Sequence, residues 1–285
     1  MRLLRIGEPG RESPAIEHEG SVFDVSAHFD DYDRVFWESD GQGRLSSLVS
    51  ESLASLPQVL ESLRIGPPVA KPSKVVCIGL NYRDHASEAH ADIPTEPIVF
   101  FKAPNTVVGP NDDVLIPPGS GKTDWEIELA VVIGAECRYL ADEQQAADRI
   151  AGYAISNDIS ERAFQLERGG QWVKGKSCET FNPLGPVLVT SDELADAHRL
   201  GIRLAVNGIE RQASSTAQMI FTVNHIVWYL SQFMVLEPGD LINTGTPAGV
   251  GLGLDPPTFL RAGDVMELSI EGLGRQRQVC RSASV

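Results

Sequence analysis

Three acidic residues, Glu126, Glu128 and Asp158, stand beside apolar runs that read as buried strands, so their charge must meet a compensating cation inside the protein. In Trp125–Ile133 (WEIELAVVI) side chains alternate, which puts Glu126 and Glu128 on one face and Trp125, Ile127 and Leu129 on the other. A Glu-x-Glu pair can also mark the solvated face of a half-buried sheet. Here the strand continues as Leu129-Ala130-Val131-Val132-Ile133, apolar on both faces, which is how a doubly covered strand reads. A second apolar strand, Gly152–Ile155, runs into Ser156-Asn157-Asp158. Oxygen donors alone suit a hard divalent ion, Mg2+ or Mn2+ with Ca2+ as a substitute, and no His/Cys cluster offers softer ligation.

Other residues have the right types for acid–base work. His85 and Glu88 fall at i and i+3 of a short helix opening at Asn81-Tyr82-Arg83-Asp84, so they share a face and can act as a base, or else form a surface ion pair. Lys176, in a Gly-containing loop after the acidic strands, can neutralise carboxylates or bind a substrate anion, or remain a solvated loop cation. His90, His198 and His225 read as structural. Two glycine-rich stretches mislead. Residues 117–123 (PPGSGKT) end like a phosphate loop but carry Ile116 where its first Gly belongs, and they lead into a strand. Gly249–Gly253 (GVGLG) precedes a Pro-rich loop where a dinucleotide site needs a helix.

The elements that must position these residues form an α+β, mostly β chain. Short strands at Leu3–Ile6 and Val22–Val25 and a helical pattern over Leu48–Leu63, kinked or ended by Pro57, define a small N-terminal α/β module over residues 1–70. After the stiff connector Gly66–Pro72, residues 71–285 form the main domain, with strands at Val75–Ile78, Ile98–Phe101, Val114–Ile116, Glu126–Ile133, Gly152–Ser156, Pro186–Val189, Ile202–Val206, Asp240–Asn243 and Val265–Ile270. Asn207-Gly208 marks a hairpin, and helices are expected at Ser160–Arg168 and Thr222–Phe233. A net charge of -15 disfavours nucleic acid and anionic membranes as partners. The four cysteines are scattered without a C-x-x-C, the N-terminus lacks a secretory core, and no apolar run reaches membrane-spanning length, so a cytoplasmic protein with reduced thiols is expected.

GLNYRDHASE at Gly79–Glu88, EPIVFFKAPN at Glu96–Asn105, DWEIELAVVIG at Asp124–Gly134, SNDISERAFQ at Ser156–Gln165, GKSCETFNPLGP at Gly175–Pro186 and TGTPAGVG at Thr244–Gly251 resemble the fumarylacetoacetate hydrolase family, in order and spacing, across about residues 70 to 281. The resemblance implies a mixed β-sandwich roll with Mg2+ or Mn2+ held by Glu126, Glu128 and Asp158. It also implies a water-activating or proton-shuttling dyad at His85 and Glu88, and substrate contacts at Arg162, Gln165, Lys176 and Thr246, with Lys176 beside the metal. The extra N-terminal module is similar to that of the bacterial branch, whose relatives are commonly homodimers. The apolar face of Thr222–Phe233 is a candidate for that contact.

The implied chemistry is cleavage of a C–C bond in a 2,4-dioxo acid, of acylpyruvate or diketo-deoxy-sugar acid type, through a metal-bound enolate stabilised by the ion and Lys176. An isomerase of carboxymethyl-hydroxymuconate type or an oxaloacetate decarboxylase could use the same site, and a non-catalytic metal-binding scaffold is the remote third reading. Cys178 stands where relatives often carry Phe, and Ala89–Thr95 falls in a part that acts as a variable lid, so substrate identity rests with residues of this kind.

Overall fold

The protein is described here by a computed structural model covering residues 1–60, 62–194 and 196–284. Its largest sheet runs in the order Ser21–Asp24, Ser13–His18, Arg2–Ile6, Asn182–Thr190, Ile150–Asn157, Ile127–Ile133, Leu241–Asn243, Val75–Gly79 and Ile98–Lys102. Neighbours along this path are antiparallel except Leu241–Asn243 with Val75–Gly79, which makes the sheet mixed. A second sheet orders Ile209–Ser215, Gly201–Val206, Val265–Ile270, Gly274–Ser282 and Val114–Ile116. The mostly β architecture matches expectation.

Alternation along Ile127–Ile133 explains how the layers stack. Ile127, Leu129, Val131 and Ile133 enter the apolar core shared with Ile202, Leu204, Met266 and Leu268 of the second sheet. Ala130 and Val132 enter a second core with Leu3, Ile16, Phe36, Trp37 and Leu45 from the N-terminal residues. The strand is therefore covered on both faces, and all seven of its residues are buried. The N-terminal segment extends the large sheet, because Arg2 and Leu3 pair with Val189 and Leu188. Within that segment Arg5 holds Asp31, at 2.6 Å and 2.8 Å.

Two local expectations differ from the structure. The helical pattern placed at Leu48–Leu63 lies earlier, as a helix at Gly41–Ser52 followed by one 3-10 turn at Leu53–Ser55; of the expected span, Glu61 lies outside the described residues. Pro57 ends helical backbone as its ring requires, and the chain beyond returns to the sheet edge, where Phe23 bridges Gln58. The helix Val223–Ser231 turns Val223, Ile226, Val227 and Leu230 into the chain's own core, so the apolar face considered for a partner is used internally. Its start is capped by Thr222, whose side chain accepts from the His225 N–H. The hairpin signal is borne out, with positive φ at both Asn207 and Gly208. All four cysteines are free, and among the described residues no helix is long and apolar enough to cross a membrane.

Buried amides join the second sheet to the strand ends that carry the acids. Gln212, fully buried, accepts from the Ile127 N–H at 3.1 Å and donates to Thr246 Oγ1 at 2.8 Å and to the Pro247 carbonyl at 2.9 Å. Asn157 donates to Gln278, and Gln276 donates to the Ile155 and Gly185 carbonyls. Gln212→Leu roughly keeps the volume but strands the Ile127 N–H and the Pro247 carbonyl. It should lower the unfolding free energy by about 2–5 kcal/mol, read from the urea midpoint, since each unpaired buried group costs ~1–3 kcal/mol. An unchanged midpoint would refute this role.

Candidate active site

Strand register gathers the acids. Ile127 pairs with Asn157 and Glu128 with Ser156, so Asp158 lies beside Glu126 one step further, its N–H donating to the Glu126 carbonyl at 2.8 Å. Glu126 and Glu128, two apart on one strand, share a face as expected. One oxygen from each of Glu126, Glu128 and Asp158 lies within 4.8 Å of the others, and all three residues are buried.

The chain itself supplies part of the compensation that the sequence reading assigned to an ion. Lys176 Nζ donates to Glu126 Oε2 at 2.6 Å and to Asp158 Oδ2 at 2.7 Å. Lys102, fully buried at the end of Ile98–Lys102, donates to Asp158 Oδ1 at 2.5 Å. Arg162 meets Glu126 Oε1 at 2.7 Å and Asp124 Oδ2 at 2.8 Å. Burial alone would raise the Glu126 carboxyl, but Lys176 and Arg162 hold it down at about 2. Burial works against the charge of Lys176 too, yet Asp158 and Glu126 raise its pKa above the usual lysine value.

Glu128 is the exception. Among the described residues it has no ion pair, and its Oε2 accepts only the Gly245 N–H, at 2.7 Å. Burial, then the charges of Asp158 and Glu126, push its carboxyl well above the usual range. Ser156, directly opposite Glu128, has a buried hydroxyl with no hydrogen-bond partner among the described residues, as does Tyr82. A set of convergent oxygens with one uncompensated carboxylate and an orphaned hydroxyl beside it fits a hard divalent cation with its water. The donor set thus suits a metal, even though the protein's lysines and arginine already carry part of the charge.

His85 and Glu88 meet as the helical spacing predicts. His85 Nδ1 lies 3.1 Å from Glu88 Oε2, and Glu88 Oε1 accepts the Gly249 N–H at 2.9 Å. The glycine-rich stretch dismissed as a nucleotide loop cradles carboxylates, since the Gly251 and Leu252 N–H groups donate to Asp124. Gly249 has φ +103, and a Cβ there would come within 1.9 Å of the Arg211 carbonyl oxygen. Gln165 and Arg162 share one turn of the helix Arg162–Leu166, bonded at 3.1 Å. Lys176, expected in a loop, ends a four-residue helix at Val173–Lys176 that packs on this turn through Gly175. The Thr246 hydroxyl is engaged by the Ile127 carbonyl and Gln212.

A cavity of about 280 Å³ brings His85, Glu126, Glu128, Arg162, Gln165, Lys176 and Thr246 together. Asp158 and Glu88 are not among the lining residues and are joined to it through Lys176 and His85. Its remaining wall is Ile78, Gly79, Leu80, Ile98, Phe100 and Trp172. Sequence reasoning missed Lys102 and Asp124. A lysine closing an apolar strand and an acid next to a buried Trp were the available signals, visible only once both are known to point inward.

The family profile described as fumarylacetoacetate (FAA) hydrolase, C-terminal, matches residues 74–281, well over half of the chain. A protein from Burkholderia multivorans that carries a general hydrolase name is 50% identical over 99% of this chain and 100% of its own. Among solved structures, fumarylacetoacetate hydrolase from psychrophilic Exiguobacterium antarcticum is 34% identical, with TM-score 0.85 over 99% of this chain and 100% of that one. A probable 2-hydroxyhepta-2,4-diene-1,7-dioate isomerase from Mycobacterium abscessus is 31% identical, with TM-score 0.81 over all of both chains. Maleylpyruvate hydrolase from Sphingobium sp. SYK-6, solved with manganese(II) and pyruvate, is 26% identical, with TM-score 0.82 over all of both chains. With its six motifs folded around one cavity and this set of neighbours, the chain belongs to the fumarylacetoacetate hydrolase family of enzymes.

Proposed function

We propose that this enzyme is a divalent-metal-dependent hydrolase that cleaves a C–C bond in a 2,4-dioxo acid of acylpyruvate type, acting as a homodimer. The observation that carries the reading is the cluster of Glu126, Glu128 and Asp158 in the same cavity as a His85–Glu88 pair. Manganese and pyruvate in a neighbour of this fold support it, since pyruvate is the product such a cleavage releases.

Glu126, Glu128 and Asp158 would hold Mg2+ or Mn2+. When bound, that ion supplies Lewis acidity and a template for the 2-oxo acid end of the substrate. Glu88, fixed by the Gly249 N–H, orients the His85 ring through Nδ1 and leaves Nε2 to take a proton from water. The water oxygen attacks the distal acyl carbonyl, and the bond between that carbon and the methylene breaks. The electron pair passes to the pyruvate fragment, where the Lys176 ammonium stabilises the charge, and a proton ends on the methylene carbon. Water is consumed and a carboxylic acid and pyruvate leave. Arg162 and Gln165 form the polar wall beside the keto acid, and Thr246 with Gln212 holds the loop that supplies Gly245 to Glu128. Isomerisation would need only proton transfer at the same site, and a neighbour named as an isomerase makes it the second reading.

Substitutions should separate the parts. Glu126→Gln should abolish both acylpyruvate hydrolysis and the rise in Tm on adding Mg2+ or Mn2+. His85→Ala should lower hydrolysis by about 10²–10⁴-fold, as for loss of a general base, while the metal-induced Tm rise persists. Normal hydrolysis by His85→Ala would sink the dyad assignment.

The raised Glu128 carboxyl yields a further expectation. A carboxyl raised in the folded state favours folding at low pH, and that contribution is lost as pH rises through its folded pKa. The metal-free protein should therefore lose stability as pH rises above the ordinary carboxylate range, a slope that Glu128→Gln removes, whereas Glu126, held at about 2, is already ionised there. Metal binding should release a proton and tighten as pH rises, a change that calorimetry in buffers of different ionisation enthalpy would measure. Metal affinity independent of pH would contradict it.

A further inference from the structure

We propose that the cavity selects a 2,4-dioxo acid with a single carboxylate and a bulky apolar, preferably aromatic, acyl end, and that Trp172 is the selecting residue. The inference rests on the acylpyruvate reading above and names the substrate class within it.

The cavity has two chemically distinct ends. At one stand Glu126, Arg162 and Lys176, joined in ion pairs, with Glu128 two residues along the same strand, and at the other Ile98 and Trp172 gather at Gly79 with Phe100 against the indole. Phe100 joins them. Lys176 Nζ lies 5.1 Å from the centre of its ring, and the Trp172 ring meets it edge-on at 5.3 Å and 65°. A substrate whose keto acid lies at the polar end therefore sends its acyl arm along Phe100 toward Trp172. An aryl group there finds an aromatic edge and aliphatic side chains, the surroundings in which it gains most from burial.

A second carboxylate finds nothing comparable. Of the described residues that line the cavity, the only Lys and Arg are Lys176 and Arg162, both at the polar end and both in ion pairs with Glu126. The segment 89–97, which joins the His85 helix to the Ile98 strand, carries Asp92 and Glu96 and has neither lysine nor arginine, so its approach would not bring a strong cation. A carboxylate at the end of the acyl arm would lose its hydration against apolar walls without a counter-charge.

The apolar end is also built rather than incidental. A Cβ at Gly79 would stand 2.8 Å from Trp172 Cζ3, so the indole sits directly on bare backbone. Leu80 holds φ +52, a left-handed conformation that is strained for a non-glycine residue, and it contributes to the cavity wall from there. Trp172 immediately precedes the helix Val173–Lys176, so the selecting ring and the ammonium are carried by one short element.

The test uses the full-length enzyme loaded with Mn2+ and three substrates: benzoylpyruvate, acetylpyruvate, and an acylpyruvate ending in a carboxylate. The kcat/KM for benzoylpyruvate should exceed that for the carboxylate-ended acid by at least about tenfold, the scale on which an apolar pocket discriminates. Trp172→Ala should cut the benzoylpyruvate value by about tenfold, chiefly through KM, cut the acetylpyruvate value by a clearly smaller factor, and be largely rescued by Trp172→Phe. Preference for the carboxylate-ended acid, or an equal loss on all three substrates in Trp172→Ala, would overturn the proposal. Calorimetric binding of phenylpyruvate and oxaloacetate to the same loaded enzyme separates this from the hydrolase reading. If no acylpyruvate is cleaved yet phenylpyruvate binds more tightly, and Trp172→Ala removes that advantage, the reaction is misassigned and the selectivity stands; tighter binding of oxaloacetate rejects the selectivity itself.

Discussion

The structure turns on the burial of four carboxylates, Asp124, Glu126, Glu128 and Asp158, around three cations, Lys102, Arg162 and Lys176. Removing any one charge of such a set from water is costly, and the set persists because nearly every oxygen meets a close partner. The imbalance left over is localised. It falls on Glu128, which has a backbone donor and, among the described residues, no ion pair, and it gives the site its demand for one more positive charge.

The fold exists in large part to hold that set. Two antiparallel strands bring Glu126 and Asp158 side by side, a strand end delivers Lys102, and two short helices locked together at Gly175 deliver Arg162, Gln165 and Lys176. A glycine-rich loop folds its N–H groups over Asp124 and Glu88. Both faces of Ile127–Ile133 are sealed by apolar layers, one of them including residues of the N-terminal segment. That segment joins the large sheet through Arg2 and Leu3 and so contributes to the dryness on which the acid cluster's electrostatics depend.

Much of this was legible in the chain because strand periodicity is strict. Alternation in WEIELAVVI settled that Glu126 and Glu128 point the same way, and the all-apolar continuation that the strand is covered twice. Helical spacing paired His85 with Glu88 for the same reason. The compensating cations were less visible, because charge pairing depends on which distant strand end or helix meets the acids. Lys102 lies 56 residues from Asp158, and its one local mark, a lysine closing an apolar strand, does not say which acid it meets. The Gly249–Gly253 loop failed in the other direction, since a glycine pattern shows where backbone must come close and leaves open whether it meets a phosphate or a carboxylate. The N-terminal helix was misplaced because the stretch after Ser52 keeps apolar residues at helical spacing while it returns to pair at a sheet edge.

The two ends of the cavity are mechanically one piece. Trp172 precedes and Lys176 ends the same four-residue helix, and that helix rests on the turn of Arg162 and Gln165, where Gly175 leaves no room for a side chain: a Cβ would come within 2.4 Å of the Glu161 carbonyl oxygen. A shift at the apolar wall would thus move the ammonium that neutralises Glu126 and Asp158, and repulsion among the acids would oppose it. Electrostatics at one end therefore stiffens the apolar wall at the other. In an enzyme family where one cavity serves hydrolysis and isomerisation, such stiffness gives the walls a fixed shape against which substrates are distinguished.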